Sequence, residues 1–334
     1  HDAFALRFEI KNGVWRQTYH PELPRLDFKT FRVSSSERGD WKELGIKLEN
    51  QSAKDFDLKT GPLARAVFLD RGRAQRGMLS VTAHHLIVDA ISMRTLIRQF
   101  EATYAGLMQG SEEHMNFRSC RYLQWAQSQA DKAQTAPMSD QLPFWSRQLE
   151  PLSIGISKPN ESNKSPQKSA SSTITGSRIS ISRTADQPTS KNILTKFNTS
   201  RLRHDAILAA LIRGAAPLLN KEELVVRLRH HGRFTDREQN TASLVGWLTH
   251  HFPIAFEVQA QMSLPNFVAD VSTKLRLAPD AGAAFGWLCH SASGDNTFRP
   301  LKNNKPFDIF FSFLEDVRLG ANATEQFRVL KTLV

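Results

Sequence analysis

Cysteine is almost absent: Cys120 and Cys289 are the only two in 334 residues. They are too few and too far apart for a disulfide framework or a thiolate zinc site, a usage that suits a reducing cytosol. No apolar run approaches the length that spans a bilayer. The opening HDAFALRFEI has neither the basic n-region nor the apolar h-region of a secretion signal. The expectation is a cytoplasmic chain with no membrane insertion, in which sequons such as those at Asn160, Asn198 and Asn322 carry no glycan. There is no basic run of the kind a nucleic-acid arm would need, although 44 Lys and Arg against 33 Asp and Glu leave a formal net charge of +11. Spread along the chain in this way, the charge favours an acidic or phosphorylated partner over nucleic acid. No HExxH pattern or cysteine cluster accompanies the histidines, so no metal is expected.

What is present is enough apolar material, 40% of the residues, for a large core, and a length that favours two domains over one. From residue 153 to 177 the chain reads SIGISKPNESNKSPQKSASSTITGS, rich in Ser, Lys and Asn and poor in large apolar groups. That composition predicts a flexible linker between an N-terminal lobe, 1–152, and a C-terminal lobe, 178–334. Before it, FALRFEI, ARAVFLD and MLSVTAHH are short β-prone runs. ISMRTLIRQFEATYAGLM then repeats Leu96, Phe100, Tyr104 and Leu107 at helical spacing. After it, DAILAALIRGAAPLL and LPNFVADVSTKLRLA predict helices, and LVVRLRHH, HFPIAFEV and PFDIFFSFL predict strands. Both halves mix the two, so the class is α/β (α+β), with no repeat at a fixed short period.

The most pointed stretch is LSVTAHHLIVDAIS, residues 79–92. On a strand, the two-residue period puts His85 on the face shared by Leu79, Val81 and Ala83, and His84 on the other. Neighbouring histidines that point opposite ways cannot share one metal. His85 stands at the strand end, where a loop leads into a helix beginning near Ala90, a common place for groups that do chemistry. Asp89 and Ser92 occupy positions where oxygens cap a helix N-terminus, and Asp89 has the alternative of pairing with an arginine and bracing the loop. A histidine at a strand end is often an ordinary core residue, and an aspartate there is often only a cap. The rest of the chain separates these readings.

HHLIVDAIS resembles the HHxxxDG signature of the condensation-domain superfamily of nonribosomal peptide synthetases. Further motifs follow in the family's order: FDLKTGPLARAVFLD at 56–70 and FWSRQL at 144–149. Within that superfamily the second half is most similar to the epimerisation branch. DAILAAL (205–211) resembles DxLLxAxG, HHGRF (230–234) the tail of EGHGRE, and LVGWLTHHFPIAFE (244–257) TVGWFTxxYPxxFE. PDAGAAFG (279–286) resembles PxxGxGYG, FSFLE (311–315) resembles FNYLG, and the opening HDAFALRF resembles HDALRxRF. The resemblance implies two chloramphenicol-acetyltransferase-like lobes in a V-shaped pseudo-dimer, with a tunnel that admits the phosphopantetheine arm of a carrier domain. It implies no tightly bound cofactor, a peptidyl carrier (thiolation) domain and adjacent synthetase domains as partners, and a family motif lying ahead of residue 1, as in a fragment of a longer chain.

By the same resemblance His85 is the catalytic acid/base, His84 and Asp89 support it, Arg233 of the GR pair is a candidate partner for Asp89, and Trp247 of VGWLT lines the tunnel. Epimerisation removes the Cα proton of a thioester and returns one to the opposite face, and histidine is the side chain whose ordinary pKa suits the first task. The branch's second proton carrier is the first glutamate of EGHGRE, and the alignment puts Arg229 there, with His230 at the glycine and Phe234 at the final glutamate. An arginine cannot exchange a proton at working pH. His230, His231 or Glu238 are the candidates to replace it. Ala90, Met93, Ala284 and Ser312 also depart from the branch's glycine, tryptophan, glycine and asparagine. Four functions stay open: epimerisation, peptide-bond condensation (which needs only one histidine), an inactive domain that docks carriers, and a free-standing acyl-coenzyme A acyltransferase sharing HHxxxD.

Overall fold

The computed structural model describes residues 1–20, 22, 26–33, 41–110, 121–135, 138–154, 182–233, 241–259, 261–290 and 307–313. Two compact units emerge: residues 1–132 with 231–249, and residues 133–230 with 250–315. The expected linker falls mostly on 155–181, outside the described residues. Two stretches group otherwise than the lobe limits 1–152 and 178–334. Residues 133–152 belong with the second unit, where Trp145 is fully buried in the core, and 231–249 belong with the first, where Leu244, Val245 and Leu248 are buried.

The first unit opens with a 3-10 turn, Asp2–Ala5, and a hairpin of β1 (Leu6–Lys11) and β2 (Val14–Tyr19). Lys11 faces Val14, so Asn12 and Gly13 alone make the turn, with φ of 54° and 75°. Asn-Gly reaches that left-handed pair at little steric cost, which is why it closes tight hairpins. A second sheet pairs β3 (Asp27–Arg32) in parallel with β4 (Ala64–Asp70), and β4 antiparallel with β5 (Met78–Ala83). Helix α1 (Trp41–Ser52) covers it through Leu48, against Val67 and Leu69. Helices α2 (Ala90–Met108) and α3 (Tyr122–Thr135) complete the unit. Phe100, Tyr104 and Leu107 do lie on α2 at the predicted spacing, but all three are exposed. The larger core of this unit gathers Leu6, Phe8, Leu63, Ile87, Tyr122 and Leu244.

The second unit runs α4 (Met138–Leu149), α5 (Pro151–Ile154), α6 (Gln187–Lys196), α7 (Ser200–Leu219), β6 (Glu223–His230), β7 (His250–Glu257), α8 (Leu264–Leu277), α9 (Ala283–His290) and β8 (Ile309–Phe311). Its sheet has the order β7-β6-β8, with β6 antiparallel to β7 and parallel to β8. Leu224, Val226 and Leu228 of β6 send one face into a core with Phe252, Ile254 and Phe256 of β7, onto which α7 and α8 lay Leu208, Ile212, Phe267 and Val271. Each fully buried side chain of this size contributes on the order of 1.5–3 kcal/mol. The helices are capped by their own sequence: Thr199 accepts from Leu202 N at 3.2 Å ahead of α7, and Ser263 from Asn266 N at 3.4 Å ahead of α8. Between them buried Asp205 accepts from Ser272 Oγ at 2.6 Å and pairs with His204 Nδ1 at 2.8 Å.

Candidate active site

Strand β5 stops at Ala83, so His85 stands in the turn beyond it and not on the strand's apolar face. The ladder gains one more bond, His84 N to Leu63 O at 2.8 Å, and the chain then bends, with Ile87 N donating to His84 O at 3.0 Å. Ile87 and Val88 sink into the first core at 0% and 3% exposure, which pins the turn while leaving His85 exposed. His85 Nδ1 lies 2.6 Å from the Val88 carbonyl. A carbonyl only accepts, so Nδ1 carries the hydrogen and the neutral ring keeps its lone pair on Nε2. The Trp247 indole lies across the same ring, with centroids 4.5 Å apart and planes at 31°. Trp247 sits in the loop ahead of β7, half-buried, its Nε1 donating to Thr249 O at 2.9 Å.

His84 turns away. Its Nδ1 accepts from Leu86 N at 3.2 Å and its ring stands edge-on to Phe56. Burial, then the neighbouring His85, pull its pKa down, so it is neutral at neutral pH. Neither His84 nor Asp89 bonds the His85 ring; Val88 and Trp247 orient it, and His84 and Asp89 brace the backbone that carries it.

Asp89 caps α2, accepting from Ser92 N at 2.8 Å. It is 1% exposed and takes a bidentate pair from Arg233, Nη1 to Oδ2 at 2.8 Å and Nη2 to Oδ1 at 2.9 Å, then Leu248 N at 3.2 Å and Thr249 Oγ1 at 3.3 Å. Burial alone would raise this carboxyl. The hydrogen bonds and charge of Arg233, with those of Ser92, outweigh it and hold the group below the usual carboxylate range. Ser92 is not a second cap. It is the third residue of α2, and its fully buried Oγ donates to Gly246 O at 2.8 Å while accepting from Gly246 N at 3.0 Å and Arg233 Nη2 at 2.9 Å. Arg233 reaches Leu244 O and His231 O as well, at 3.0 and 3.1 Å. Gly232 makes the approach possible: its φ is +67°, and a Cβ there would lie 1.8 Å from the Leu248 carbonyl oxygen.

His231 belongs to this cluster. Its Nδ1 accepts from Arg233 N at 3.0 Å, and burial, then Arg233, lower its pKa against the pull of Asp89. Tyr122 closes the cluster with a bond from its hydroxyl to Trp247 O at 3.2 Å, its phenol pushed up to about 12 by burial and by the charges of Asp89 and Asp2. Asp2 in turn accepts from Tyr122 N and Leu123 N at 3.1 and 3.2 Å, capping α3 from the opposite end of the unit's sequence. Sequence reasoning does not single out Tyr122, Asp2 or Gly246 as site residues. Asp2 and Gly246 do lie inside the motifs HDAFALRF and LVGWLT, whereas Tyr122 has no local signal.

Arg229 and His230 lie in the second unit, on β6. Arg229 faces His251 across the ladder and His230 faces His250, the latter two rings 5.1 Å apart. Glu238 and Phe234 lie outside the described residues. Among the described residues no group of three or more His, Cys, Asp or Glu is placed to hold a metal, and no helix is long and apolar enough to cross a membrane. His85 is therefore an exposed imidazole whose Nδ1 is committed to a carbonyl, on a turn held by a buried ion pair.

The family model for the condensation domain matches residues 1–328. The chain is 24% identical over 330 residues to bacitracin synthase 3 of Bacillus licheniformis, covering 97% of this chain and 5% of that protein, so it spans only a small part of such a relative. Among solved structures it is similar to the epimerization domain from the third module of tyrocidine synthetase B, with a TM-score of 0.69 at 20% identity over 93% of this chain and 67% of that one. It is similar also to the first condensation domain of the calcium-dependent antibiotic synthetase, with a TM-score of 0.57 at 16% identity over 82% and 62% of the two chains. The mixed α/β fold expected from the sequence is the fold of these domains. A family match over nearly the whole length, on a chain whose HHLIVDA turn is built as described, means that the protein belongs to the condensation-domain family.

Proposed function

We propose that this domain works in a nonribosomal peptide synthetase as an epimerisation-type member, acting on the Cα of an aminoacyl or peptidyl thioester carried on the phosphopantetheine arm of a carrier domain. The observation that carries the proposal is His85: it is exposed, and with Nδ1–H committed to Val88 O the neutral ring has its lone pair on Nε2. In this reading Nε2 removes the Cα proton, which the thioester acidifies, and the resulting imidazolium is steadied by the same carbonyl. Asp89, Arg233 and His231 position the turn, and Trp247 walls the ring. A formal charge of +11 suits a carrier that presents a phosphate-linked arm.

Arg229 favours a second reading. It stands where the resemblance puts the epimerisation branch's second proton carrier, and an arginine holds no exchangeable proton at working pH. Peptide-bond condensation requires one imidazole only, to position or deprotonate an acceptor amine. The test is incubation in D2O with an L-aminoacyl carrier protein, followed by analysis of Cα deuterium and chirality, beside a parallel reaction offering an acceptor aminoacyl carrier. Deuterium with D-isomer, abolished in His85→Ala, is the expected result. Amide product without deuterium would transfer the assignment to condensation, and neither product would sink both readings.

A further inference from the structure

The hairpin of the first unit has one strand edge that no described residue covers. β1 is backed by the body of the unit: Leu6 and Phe8 are buried, and Phe8 N donates to Leu58 O at 2.8 Å. Among the described residues β2 pairs with β1 alone, and every residue from Val14 to Thr18 is exposed. The tight Asn12-Gly13 turn makes Lys11 and Val14 a hydrogen-bonded pair, and the antiparallel ladder then alternates, so Arg16 and Thr18 also turn their N–H and C=O toward β1. The bond from His20 N to Ala5 O, 2.8 Å, continues the same phase. Trp15, Gln17 and Tyr19 therefore direct their backbone N–H and C=O away from β1, and among the described residues none of these groups has a hydrogen-bond partner. The side chains do little to close this edge. Val14 and Trp15 are 62% and 60% exposed, Ile10 opposite Trp15 is 60% exposed, and the strand holds one charge, Arg16, with no proline and no bulge. A strand left in this way is a template for a further strand.

We propose that β2 pairs with β2 of a second copy of this chain, antiparallel about a two-fold axis at Gln17. Such an axis stands perpendicular to the sheet and preserves its faces, so a residue opposes only one of its own parity. Centred on Gln17, the pairing sets Trp15 against Tyr19 of the second copy and Gln17 against its own mate. These are the outward-facing residues, and each of their free N–H and C=O groups is satisfied across the join. A register centred on Arg16 opposes like charges directly and sets Tyr19 against the turn, while one centred on Thr18 carries Trp15 past the strand's end. In the favoured register Arg16 opposes Thr18, and its cross-strand neighbour on β1 is Glu9. Trp15 with Tyr19, on either side of the axis, supplies the aromatic pairs that stabilise antiparallel neighbours. A strand of another protein would have to match this phase and these side chains; β2 matches itself. The formal charge of +11 opposes self-association at low salt and is screened beyond about 8 Å at physiological ionic strength. Two strands of 6 residues join over less than the ~1,200 Å² of a stable complex, so the dimer is weak and concentration-dependent. The pairing holds whichever reaction His85 performs.

The test is sedimentation equilibrium of the full chain in about 0.3 M salt, over about 1–300 μM protein. A reversible monomer–dimer equilibrium with its midpoint in that range is expected. Trp15→Lys, which puts a charge on the edge, and Gln17→Pro, which removes the N–H at the axis, should each raise the dissociation constant at least about tenfold. Trp15 is mostly exposed, so Trp15→Lys should leave Tm unchanged, and loss of the dimer in that variant is then not loss of the fold. Cross-linking reads the register. In a chain carrying Cys120→Ser and Cys289→Ser, Gln17→Cys should oxidise to a disulfide-linked dimer, because the Cα atoms of a hydrogen-bonded pair lie about 5.5 Å apart, inside the disulfide range. Val14→Cys, about 20 Å from its symmetry mate, should not. A monomer at every concentration would overturn the proposal and leave the edge to a strand of another protein. A dimer that survives both β2 variants, or that cross-links no faster through Gln17→Cys than through Val14→Cys, would overturn it as well.

Discussion

Arg233 and Arg229 are four residues apart in the chain and carry the same guanidinium, yet they belong to different units and different situations. Arg233 is 8% exposed and spends Nη1 and Nη2 on Asp89, Ser92, Leu244 and His231. Arg229 is half-buried and, among the described residues, its side chain has no hydrogen bond or ion pair. The first is a structural clamp whose removal leaves a buried carboxylate; the second is a charge without a described partner inside its own unit. The contrast shows why arginine in a motif has no single meaning: the strand that ends at His230 decides which side of the unit boundary each residue joins.

The clamp is where breaking the comparison costs most. Arg233→Ala or Asp89→Ala is expected to lower stability by about 3–5 kcal/mol, because each strands one buried charge. The double variant should cost clearly less than the sum, which chemical denaturation of all four proteins measures. Since the Asp89 carboxyl is held below its ordinary value, the stability it supplies is present above the unfolded value, about 3.9, and disappears as pH falls through the lower folded value. Acid unfolding in Asp89→Asn should accordingly lack that increment of steepness below about pH 4.

Gly246→Ala tests the same cluster from behind. The added Cβ would lie 2.0 Å from Tyr122 Cδ2, and overpacking of this kind costs roughly 1–3 kcal/mol. Tyr122→Leu in the same protein should return part of that loss, seen as a partial recovery of Tm; no recovery would mean that the glycine serves the backbone and not the ring.

These positions also show how much of the molecule is legible in its sequence. HHLIVDA points to a turn after a strand and Asp89 to a cap, because capping is written in short spacings, whereas Arg233, 144 residues from Asp89, is pointed to only by the resemblance of GR to the family motif. The strands rich in apolar residues, β4, β6 and β7, are readable for the same reason. Strands β2 and β3 are not: every residue of VWRQTY and DFKTFR is exposed or half-exposed, so no buried face imposes an alternation. Placing His85 on the strand fails because the two-residue period carries no information on where pairing stops, and here it stops when Ile87 and Val88 enter the core. Tyr122 and the bridging role of Ser92 depend on contacts to Trp247 and Gly246, 125 and 154 residues away, which local pattern cannot encode.

His85→Ala separates fold from chemistry. The ring is exposed and held by one hydrogen bond and one stacking contact, so stability should change by about 1 kcal/mol or less. Loss of exchange by about 10²–10⁴-fold with an unchanged Tm would assign it to the reaction.

The smallest stability effect is expected at Arg229, and it sharpens the contrast most. Arg229→Gln removes a charge with no described partner, so at about pH 7.5 stability should stay within about 0.5 kcal/mol of the parent or rise slightly. The consequence appears in acid. His251 is held at about 4, below its unfolded value of 6.5, so the unfolded chain binds the proton first and the fold loses stability as pH drops from 6.5 toward 4. Burial is the larger cause and remains in the variant, while of the two repelling arginines, Arg227 and Arg229, one is gone. The His251 titration, followed by its ring-proton NMR signals and assigned with His251→Asn, should move upward toward 6.5, and the acid loss across that window should shrink. An unmoved titration would place Arg229 too far from His251 to act on it, and would return the half-buried guanidinium to the solvent that the sheet face otherwise denies it.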